Sequence, residues 1–398
     1  MITCKKKYDI AVVGGGMAGT GAALQASRMG FKTVLIEKTV FPGGLATSGL
    51  VYIYLPLCDG KGRQVTFGIA EELLRKSFLY GPGEIPENWQ TPENNKSRFR
   101  TPFSPASFIL AMDEMLENEK VDVWYDTLFC LPVIKDDKIL GIETENKSGR
   151  ILIEADLFID ATGDSDLAFR AGCPCIETDN WLSMWAVMAS YEHVKTSLDE
   201  HNGFSLFQMK IIGGDNAGRN TPVGKKKYFG TDGRQVTQFT LESRRILKNA
   251  LLDEEKKAPD SRNRYFPLTL PNIPQFRTTR RIDGLETVAD NGYGQPVKNS
   301  VGMVADWRKS GYVWEIPYGS LVPKKITNLL AAGRCISSER DAWEVTRVIQ
   351  AAAFTGQIAG LAGSLALKHN TAAARLDINI LQKEITGLGI PLHINQKQ

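Results

Sequence analysis

Hydrophobic and polar residues near the amino end follow a pattern typical of a βαβ unit. Residues 8–13 form an apolar run that predicts a buried strand. Residues 18–29 carry small and apolar side chains at helical spacing, and residues 32–38 are apolar again. A strand, a helix and a second strand in this order place the two strands side by side in a parallel sheet.

Further along the chain, the pattern predicts a sheet that is interrupted and later resumed. The other predicted strands are residues 121–125, 127–135, 138–145, 150–154, 157–160 and 328–334. The second, third and fourth of these are separated by short turns, so we expect them to form an antiparallel meander. Residues 81–105 are rich in proline, glycine and asparagine and predict a long surface loop.

A change of pattern after residue 177 indicates an inserted domain. Residues 178–312 mix aromatic strands, glycine-rich turns and a charged helix around residues 241–257. We therefore expect one domain built from residues 1–177 and 313–398. The segment between them is expected to form a mixed α+β domain that covers the site as a substrate or cap domain.

One apolar stretch has the length of a membrane span. Residues 348–367 are apolar over 20 residues, but Gln350 and Gln357 interrupt the run and many of its residues are small. A helix of small residues suits tight packing against a sheet, so we expect it to be buried in a soluble protein. The apolar run near residue 10 is too short for a signal peptide.

Composition narrows the class of protein and of partner. The 398 residues are 42% hydrophobic and 23% charged, which is typical of a globular chain with one or two cores. A net charge of +3 gives no sign of a nucleic-acid surface. The 6 cysteines form no CxxC pair, so we expect neither disulfides nor zinc, and a cytoplasmic location. The 4 histidines lack metal-ligand spacing.

The first strand is followed by a glycine motif with a physical purpose. Gly14, Gly16 and Gly19 stand at the spacing that allows a tight turn, close approach of a pyrophosphate and close packing of helix on strand. Glu37, at the end of the second strand, can accept hydrogen bonds from ribose hydroxyls. The motif predicts a dinucleotide site, against the alternative of a glycine turn with a chance acidic residue.

Three further segments join this motif in a family resemblance. They are EKTVFPGGLATSGL (residues 37–50), IDATGD (159–164) and NLLAAGRCIS (328–337). Together they resemble the FAD-dependent oxidoreductases of the glutathione-reductase structural type, and most closely the relatives of succinate dehydrogenase and fumarate reductase flavoproteins. The resemblance covers residues 7–48, 121–174 and 275–363. It implies an α/β fold with a doubly wound parallel sheet that binds FAD.

The resemblance also implies which residues hold the cofactor. They are Gly14, Gly16, Met17, Ala18, Gly19, Glu37, Lys38, Gly43, Gly44, Leu45, Ala46, Thr47, Phe129, Thr162, Gly163, Asp164, Gly333, Arg334, Arg347, Val348, Ile349 and Gln350. The first-turn amides of the last long helix would point at the flavin. Arg334 stands where many members carry an acidic residue, and if it faces the cofactor it would pair with phosphate.

Candidate catalytic residues come from the segment FRTTRRIDG, residues 276–284, and from Tyr318. Arg280 or Arg281 would fix a substrate carboxylate or donate a proton, whereas structural ion pairs are the alternative. In an extended segment, neighbouring side chains point to opposite faces, so Arg277, Arg280 and Arg281 cannot all face one pocket. Gly319 and Arg340 replace an arginine and a histidine that many relatives carry.

These features predict hydride transfer between a small organic substrate and non-covalently bound FAD. No histidine lies in the amino-terminal cofactor segment, which argues against a covalent flavin link. Only one glycine fingerprint is present, so we expect a diffusible electron acceptor. No nucleic-acid or membrane partner is expected, and the oligomeric state stays open. The alternatives are a tRNA-modifying flavoprotein, a non-catalytic flavin-binding redox module, and an NAD-only dehydrogenase, which the GGLATSG and GRCIS segments disfavour.

Overall fold

The computed structural model describes residues 4–85, 100–215, 219–221, 224 and 226–395. The strands in these residues are β1 (Cys4–Val13), β2 (Thr33–Ile36), β3 (Ile53–Tyr54), β4 (Thr101–Pro102), β5 (Asp122–Trp124), β6 (Leu128–Lys135), β7 (Lys138–Asn146), β8 (Gly149–Asp160), β9 (Cys175–Glu177), β10 (Asp179–Asn180), β11 (Ser183–Ser190), β12 (Gln208–Gly213), β13 (Tyr228–Phe229), β14 (Tyr265–Thr269), β15 (Arg280–Ile282), β16 (Ser300–Ala305), β17 (Val313–Pro317) and β18 (Leu329–Ala331). The helices are α1 (Met17–Arg28), α2 (Ile69–Lys76), α3 (Pro105–Asn118), α4 (Asp166–Arg170), α5 (Tyr191–Asp199), α6 (Gly233–Lys257), α7 (Ser261–Arg264), α8 (Arg340–Thr346), α9 (Ile349–Lys368) and α10 (Ile378–Gly387).

A seven-stranded sheet forms the centre of the molecule. Its strand order is β5-β2-β1-β8-β7-β6, and β18 also pairs with β8. The pairs β5–β2, β2–β1, β1–β8 and β8–β18 are parallel. Alternate residues of β1 enter different cores: Ile10 and Val12 pack on one face, Ala11 and Val13 on the other. Both faces are covered, which confirms the expected doubly wound α/β fold.

The amino-terminal βαβ unit is confirmed. β1 and β2 are parallel with Ile10 opposite Thr33 and Val13 opposite Ile36. α1 begins at Met17, one residue before the predicted start, and Gly16 precedes it in extended conformation. The three apolar patterns therefore marked these elements to within a few residues of their ends.

The predicted break between residues 150–154 and 157–160 is wrong. β8 runs through Ala155 and Asp156 without interruption for 12 residues. The reason is that β1 extends back to Cys4, so its first residues supply parallel partners for residues 151–155 of β8. The other edge of β8 pairs antiparallel with β7. The meander is therefore a continuation of the parallel sheet.

The segment between residues 178 and 312 has the expected mixture of strands and helices. β11 pairs antiparallel with both β12 and β14. α6 begins at Gly233, earlier than the charged pattern around residue 241 predicted, because the Asp232 side chain caps it by accepting a hydrogen bond from the Gln235 amide at 2.8 Å. β9, which ends just before this segment, pairs antiparallel with β15 inside it.

The predicted loop over residues 81–105 lies partly outside the described residues, since residues 86–99 are among those not described. In the described part, Thr101–Pro102 forms β4, and α3 starts at Pro105. The Ser104 side chain accepts a hydrogen bond from the Ser107 amide at 3.4 Å and so caps the helix.

The small-residue helix α9 is buried from residue 349 to residue 366, as its composition predicted. Its main partner is α1, and glycines bring the two helices into backbone contact. A Cβ atom on Gly356 would lie 2.0 Å from the Ala18 carbonyl oxygen, and one on Gly21 would lie 2.5 Å from the Ala353 carbonyl oxygen. Neither position has room for a side chain.

No single helix in the described residues is both long and apolar enough to cross a membrane. The pair α8 and α9, bent by 81°, passes the same test by length and composition only.

We predict that Gly356→Ala lowers the free energy of unfolding by about 2 kcal/mol, because the added methyl group forces α1 and α9 apart. Gly387→Ala in α10 is the matched control, since a Cβ atom there would meet nothing within 4 Å. The control should be neutral or stabilising by about 0.5 kcal/mol. Urea unfolding followed by circular dichroism measures both, and equal stabilities of the two variants would contradict the packing argument.

Candidate cofactor site

A pocket opens at the edge of the sheet where the parallel strands end. β1, β2, β8 and β18 end at Val13, Ile36, Asp160 and Ala331, which lie side by side at this edge. In open α/β sheets this edge is where ligands bind. The lining residues are Gly14, Gly16, Met17, Ala18, Glu37, Lys38, Thr39, Gly43, Gly44, Leu45, Ala46, Ser48, Ala161, Thr162, Gly163, Asp164, Gly230, Ile273, Pro274, Phe276, Ala332, Arg334, Arg347, Ile349 and Ala352. We call it the cofactor pocket.

The three motif glycines have two different purposes. Gly14 has a φ of 101°, and a Cβ atom there would lie 2.5 Å from the Ala161 carbonyl oxygen. A Cβ atom on Gly19 would lie 1.7 Å from the Gly14 carbonyl oxygen. Gly16 is different, because its φ of −67° suits any residue and a Cβ atom would meet no protein atom within 4 Å. The fold needs glycine at Gly14 and Gly19, whereas glycine at Gly16 leaves space in the pocket.

Polar groups in the pocket lack protein partners or point inward. The Ser48 hydroxyl is buried and has no hydrogen-bond partner among the described residues. α1 begins beside Gly16, and α9 begins next to it at Ile349, which also lines the pocket. The amino ends of both helices carry partial positive charge and free amide donors, which suit the phosphates and an electron-rich ring. The pocket therefore fits a dinucleotide.

Glu37 is held at the bottom of the pocket by its own hydrogen bonds. Its Oε2 accepts from the Gly15 amide at 2.7 Å, and its Oε1 accepts from the Thr39 amide and hydroxyl, both at 2.8 Å. Only 6% of the residue is exposed. A carboxylate has about four acceptor sites, so capacity remains for ribose hydroxyls.

Arg334 lines the pocket but is bound to protein groups. Its Nη2 lies 2.7 Å from Asp164 Oδ1, its Nη1 donates to the Phe276 carbonyl at 2.5 Å, and its Nε donates to the Gly163 carbonyl. Thr279 donates to the same Asp164 oxygen at 2.7 Å. The guanidinium expected to pair with phosphate is thus already paired with Asp164, and this ion pair joins residues 1–177 to residues 313–398.

Some residues expected to touch the cofactor lie outside the lining. These are Gly19, Thr47, Phe129, Gly333, Val348 and Gln350. They support the site from behind: the Thr47 hydroxyl donates to the Pro42 carbonyl, and the Gly333 amide donates to the Thr355 hydroxyl at 3.0 Å. The remaining expected cofactor residues all line the pocket.

Four lining residues that the sequence did not indicate come from the segment between residues 178 and 312. They are Gly230, Ile273, Pro274 and Phe276. They close the side of the pocket that faces away from the sheet. No motif marks Gly230, Ile273 or Pro274, and Phe276 begins the segment FRTTRRIDG without having been expected to touch the cofactor, because these positions depend on how the segment packs on the sheet.

None of the three candidate catalytic residues lines the cofactor pocket. Arg280 forms ion pairs with Asp166 at 2.7 Å and Glu177 at 3.2 Å, and its guanidinium lies 3.9 Å from the centre of the Phe169 ring. These are the contacts of the structural alternative. The buried Tyr318 donates its hydroxyl to the Ala373 carbonyl at 2.8 Å, and burial raises its pKa.

Arg281 points to the other side of β15. Its Nη1 donates to the Ile282 carbonyl and to the Ser337 hydroxyl, both at 3.1 Å. The alternation of Arg280 and Arg281 in this strand is confirmed, and it sends the two guanidinium groups to different surroundings.

Arg277 is the third arginine of this segment, and it directly follows Phe276, which lines the pocket. Its guanidinium lies 5.1 Å from the centre of the Trp185 ring and forms no ion pair with the described residues. Burial lowers its pKa to about 9; the positive charges of Arg347 and Arg334 add to the effect, and the negative charge of Glu344 opposes it. Arg347 is paired with Glu344 through Nε at 3.1 Å. Arg277 is therefore the arginine of this group whose charge no ion pair among the described residues cancels.

Comparison with known proteins identifies the family. A family model described as FAD dependent oxidoreductase matches residues 9–202 and 182–385, almost the whole chain. The chain belongs to this family. FAD is its cofactor, in agreement with the open space at Gly16 and the unpartnered Ser48 hydroxyl.

Individual relatives are distant. A digeranylgeranylglycerophospholipid reductase of Picrophilus torridus is 26% identical over 61% of this chain and 60% of its own length. An aerobic glycerol-3-phosphate dehydrogenase of Staphylococcus epidermidis is 30% identical over 37% of this chain and 28% of its own length. The crystal structure of a geranylgeranyl bacteriochlorophyll reductase-like protein from Thermoplasma acidophilum has a TM-score of 0.47 and 14% identity, and the match covers 96% of this chain and 84% of that one. The chain thus spans less than two thirds of the curated relatives.

We predict that Gly16→Val abolishes FAD retention but leaves the flavin-free protein folded, because the new side chain would enter cofactor space through a Cβ atom that meets no protein atom within 4 Å. Gly233→Val is the matched control, since a Cβ atom there is also free of contacts and lies in α6. The FAD-to-protein ratio should fall at least tenfold only in Gly16→Val, with unfolding free energies within about 0.5 kcal/mol of the parent. Full FAD content in Gly16→Val would contradict the assignment.

Proposed function

We propose that this chain transfers a hydride between a small organic substrate and non-covalently bound FAD, and that a diffusible molecule serves as its electron acceptor. The observation that carries the proposal is the cofactor pocket, in which the space at Gly16 and the amino ends of α1 and α9 meet at the edge of the sheet. Bound FAD supplies the hydride-accepting centre. The protein's part is to bind, orient and exclude water.

The residues around the pocket divide these tasks. Gly14, Gly16 and the first turn of α1 would hold the pyrophosphate, and Glu37 would hold the adenosine ribose. The segment around Gly43 would follow the middle of the cofactor, since Gly43 and Gly16 already form a bridge between their backbones. The amino end of α9 would stabilise negative charge at the ring, because Ile349 and Ala352 of its first turn line the pocket.

The non-covalent attachment is supported by the lining itself. No histidine, cysteine or tyrosine is among the lining residues in the described part of the chain. His393 is hydrogen-bonded to Glu315 at 2.9 Å and His193 to Ser190 at 2.8 Å, both away from the pocket. Side chains that could form a covalent flavin bond are thus absent from that lining.

The segment 178–312 would act as the substrate domain, with residues 1–177 and 313–398 as the cofactor domain. Phe276, Ile273 and Gly230 from this segment close the pocket. Arg277 follows Phe276 directly, so an anionic group on the substrate would relieve its unpaired charge. We also propose a cytoplasmic location, supported by cysteines that all stand free in the described residues.

Purified protein should be yellow and should release intact FAD into the supernatant when it is denatured. An anaerobic screen of small alcohols, acids and enoyl compounds should find one that bleaches the flavin absorbance, and added acceptor should restore it. Protein that is colourless, cannot be reconstituted with FAD, and takes up only a nicotinamide nucleotide would overturn the proposal.

We predict opposite effects for two arginine variants in the flavin-free protein. Arg277→Met should raise the free energy of unfolding by about 1 kcal/mol, because it removes a buried cation that lacks an anion. Arg280→Met should lower it by about 1 kcal/mol or more, because it leaves Asp166 and Glu177 unpaired. Urea unfolding measures both changes. If Arg277→Met is instead less stable than the parent, the guanidinium stabilises the fold, and the argument that it lacks a protein partner is wrong.

A further inference from the structure

A second cavity lies beside the pair β9–β15 and shares no lining residue with the cofactor pocket. Its volume is about 540 Å³, within the range of small-molecule sites. It is lined by Ile176, Thr178, Arg281, Asp290, Asn291, Ser338, Glu339, Arg340 and Trp343. Neither the family match nor the proposed redox reaction gives it a purpose.

Two buried hydroxyl groups in this cavity have no hydrogen-bond partner. They are the Ser338 Oγ, in a residue that is 0% exposed, and the Thr178 Oγ1. A buried hydroxyl without a hydrogen-bond partner destabilises the fold, because it has lost its bonds to water and gained none from the protein. Folded proteins satisfy nearly all such groups, so unpaired ones in a cavity wall indicate a missing partner, either water or a ligand.

The same cavity holds a guanidinium group that forms no ion pair. Arg281 is 5% exposed, and it forms no ion pair with the described residues. Its Nη1 is used by the Ile282 carbonyl and the Ser337 hydroxyl. Burial lowers the pKa of Arg281, and the negative charges of Glu339 and Asp283 oppose this shift without forming an ion pair. A buried cation of this kind is stabilised by an anion that accepts from its remaining donors.

Strand geometry brings these groups to one side. Arg281 pairs with Ile176 across β15 and β9. The ladder continues past the end of β9, where the Thr178 amide donates to the Thr279 carbonyl at 2.8 Å. Residues two apart in a strand share a face, so Thr178 lies on the face of Ile176 and Arg281. Ser338 follows Ser337, which already contacts Arg281.

The remaining walls restrict the kind of anion. The Trp343 ring lies 5.8 Å from the Arg281 guanidinium, and Ile176 is an exposed apolar residue on the same lining. Both favour an apolar body. Asp290 and Glu339 balance the charges of Arg281 and Arg340, so the cavity would repel a multiply charged anion more than a singly charged one.

We propose that the second cavity binds a small monocarboxylate with an apolar body, its carboxylate held by Arg281 and the hydroxyls of Thr178 and Ser338. The site is independent of the proposed redox reaction. A carboxylate matches the planar donor fork of arginine and can accept from two hydroxyls as well.

Titration calorimetry of the FAD-loaded protein with benzoate tests the proposal, and benzamide serves as the uncharged control of the same shape. Benzoate should bind one site at least tenfold more tightly than benzamide, and inorganic phosphate should bind weakly. No benzoate binding at millimolar concentration, or equal binding of benzamide, would overturn the proposal. Tighter binding of phosphate would overturn the monocarboxylate assignment.

Variants separate this site from the cofactor pocket. Thr178→Val with Ser338→Ala should weaken benzoate binding about tenfold while leaving the unliganded protein equally or more stable, because the removed hydroxyls bond to no protein group. Thr178→Ser keeps the hydroxyl and should bind benzoate like the parent. Arg281→Lys should weaken benzoate binding, because lysine lacks the planar pair of donors that binds both carboxylate oxygens. Unchanged affinity in the double variant would place benzoate elsewhere, and flavin absorbance recorded in parallel shows whether FAD was retained.

Discussion

The close approach of α1 and α9 is the constraint on which the cofactor pocket depends. Gly21 and Gly356 place each helix against a carbonyl oxygen of the other, and Gly360 does the same against Ala22. This contact fixes two helices whose amino ends both open into the pocket. Ala18 takes part in both tasks, since it lines the pocket and its carbonyl is the atom that Gly356 approaches. Packing and binding are therefore built from the same residues.

Much of the cofactor half could be predicted from sequence because its determinants are local. Strand and helix periods gave the βαβ unit, and the glycine spacing marked the turn that follows β1. The motif assigned Gly14 to the turn and Gly16 to the approach of a pyrophosphate, and the tertiary contacts agree, since Gly14 meets the Ala161 carbonyl and Gly16 has open space around it. The break predicted at residues 155–156 is wrong because β8 is continued there by pairing with the start of β1, a partner that is distant in sequence.

The arginines show how little residue type alone says about a site. Arg280 and Arg281 are neighbours in sequence, yet one lies between two carboxylates and the other faces a cavity. The carboxylates that pair with Arg280 are more than a hundred positions away in sequence. A guanidinium with a protein anion stabilises the fold, whereas a buried one without an anion remains available to a ligand. Charge pairing, and not the RTTRR pattern, separates the two groups.

The balance of charge along the cofactor pocket follows from the same reasoning. Arg334 is paired with Asp164 and Arg347 with Glu344, so of the three arginines that influence one another here Arg277 alone forms no ion pair among the described residues. The unmatched positive charge therefore lies on the side of Phe276, where the segment 178–312 lines the pocket, and not at the Gly16 end, where α1 would meet a pyrophosphate. Because helix amides would serve the diphosphate, the guanidinium of Arg277 would stay free, which is consistent with the anionic substrate proposed above.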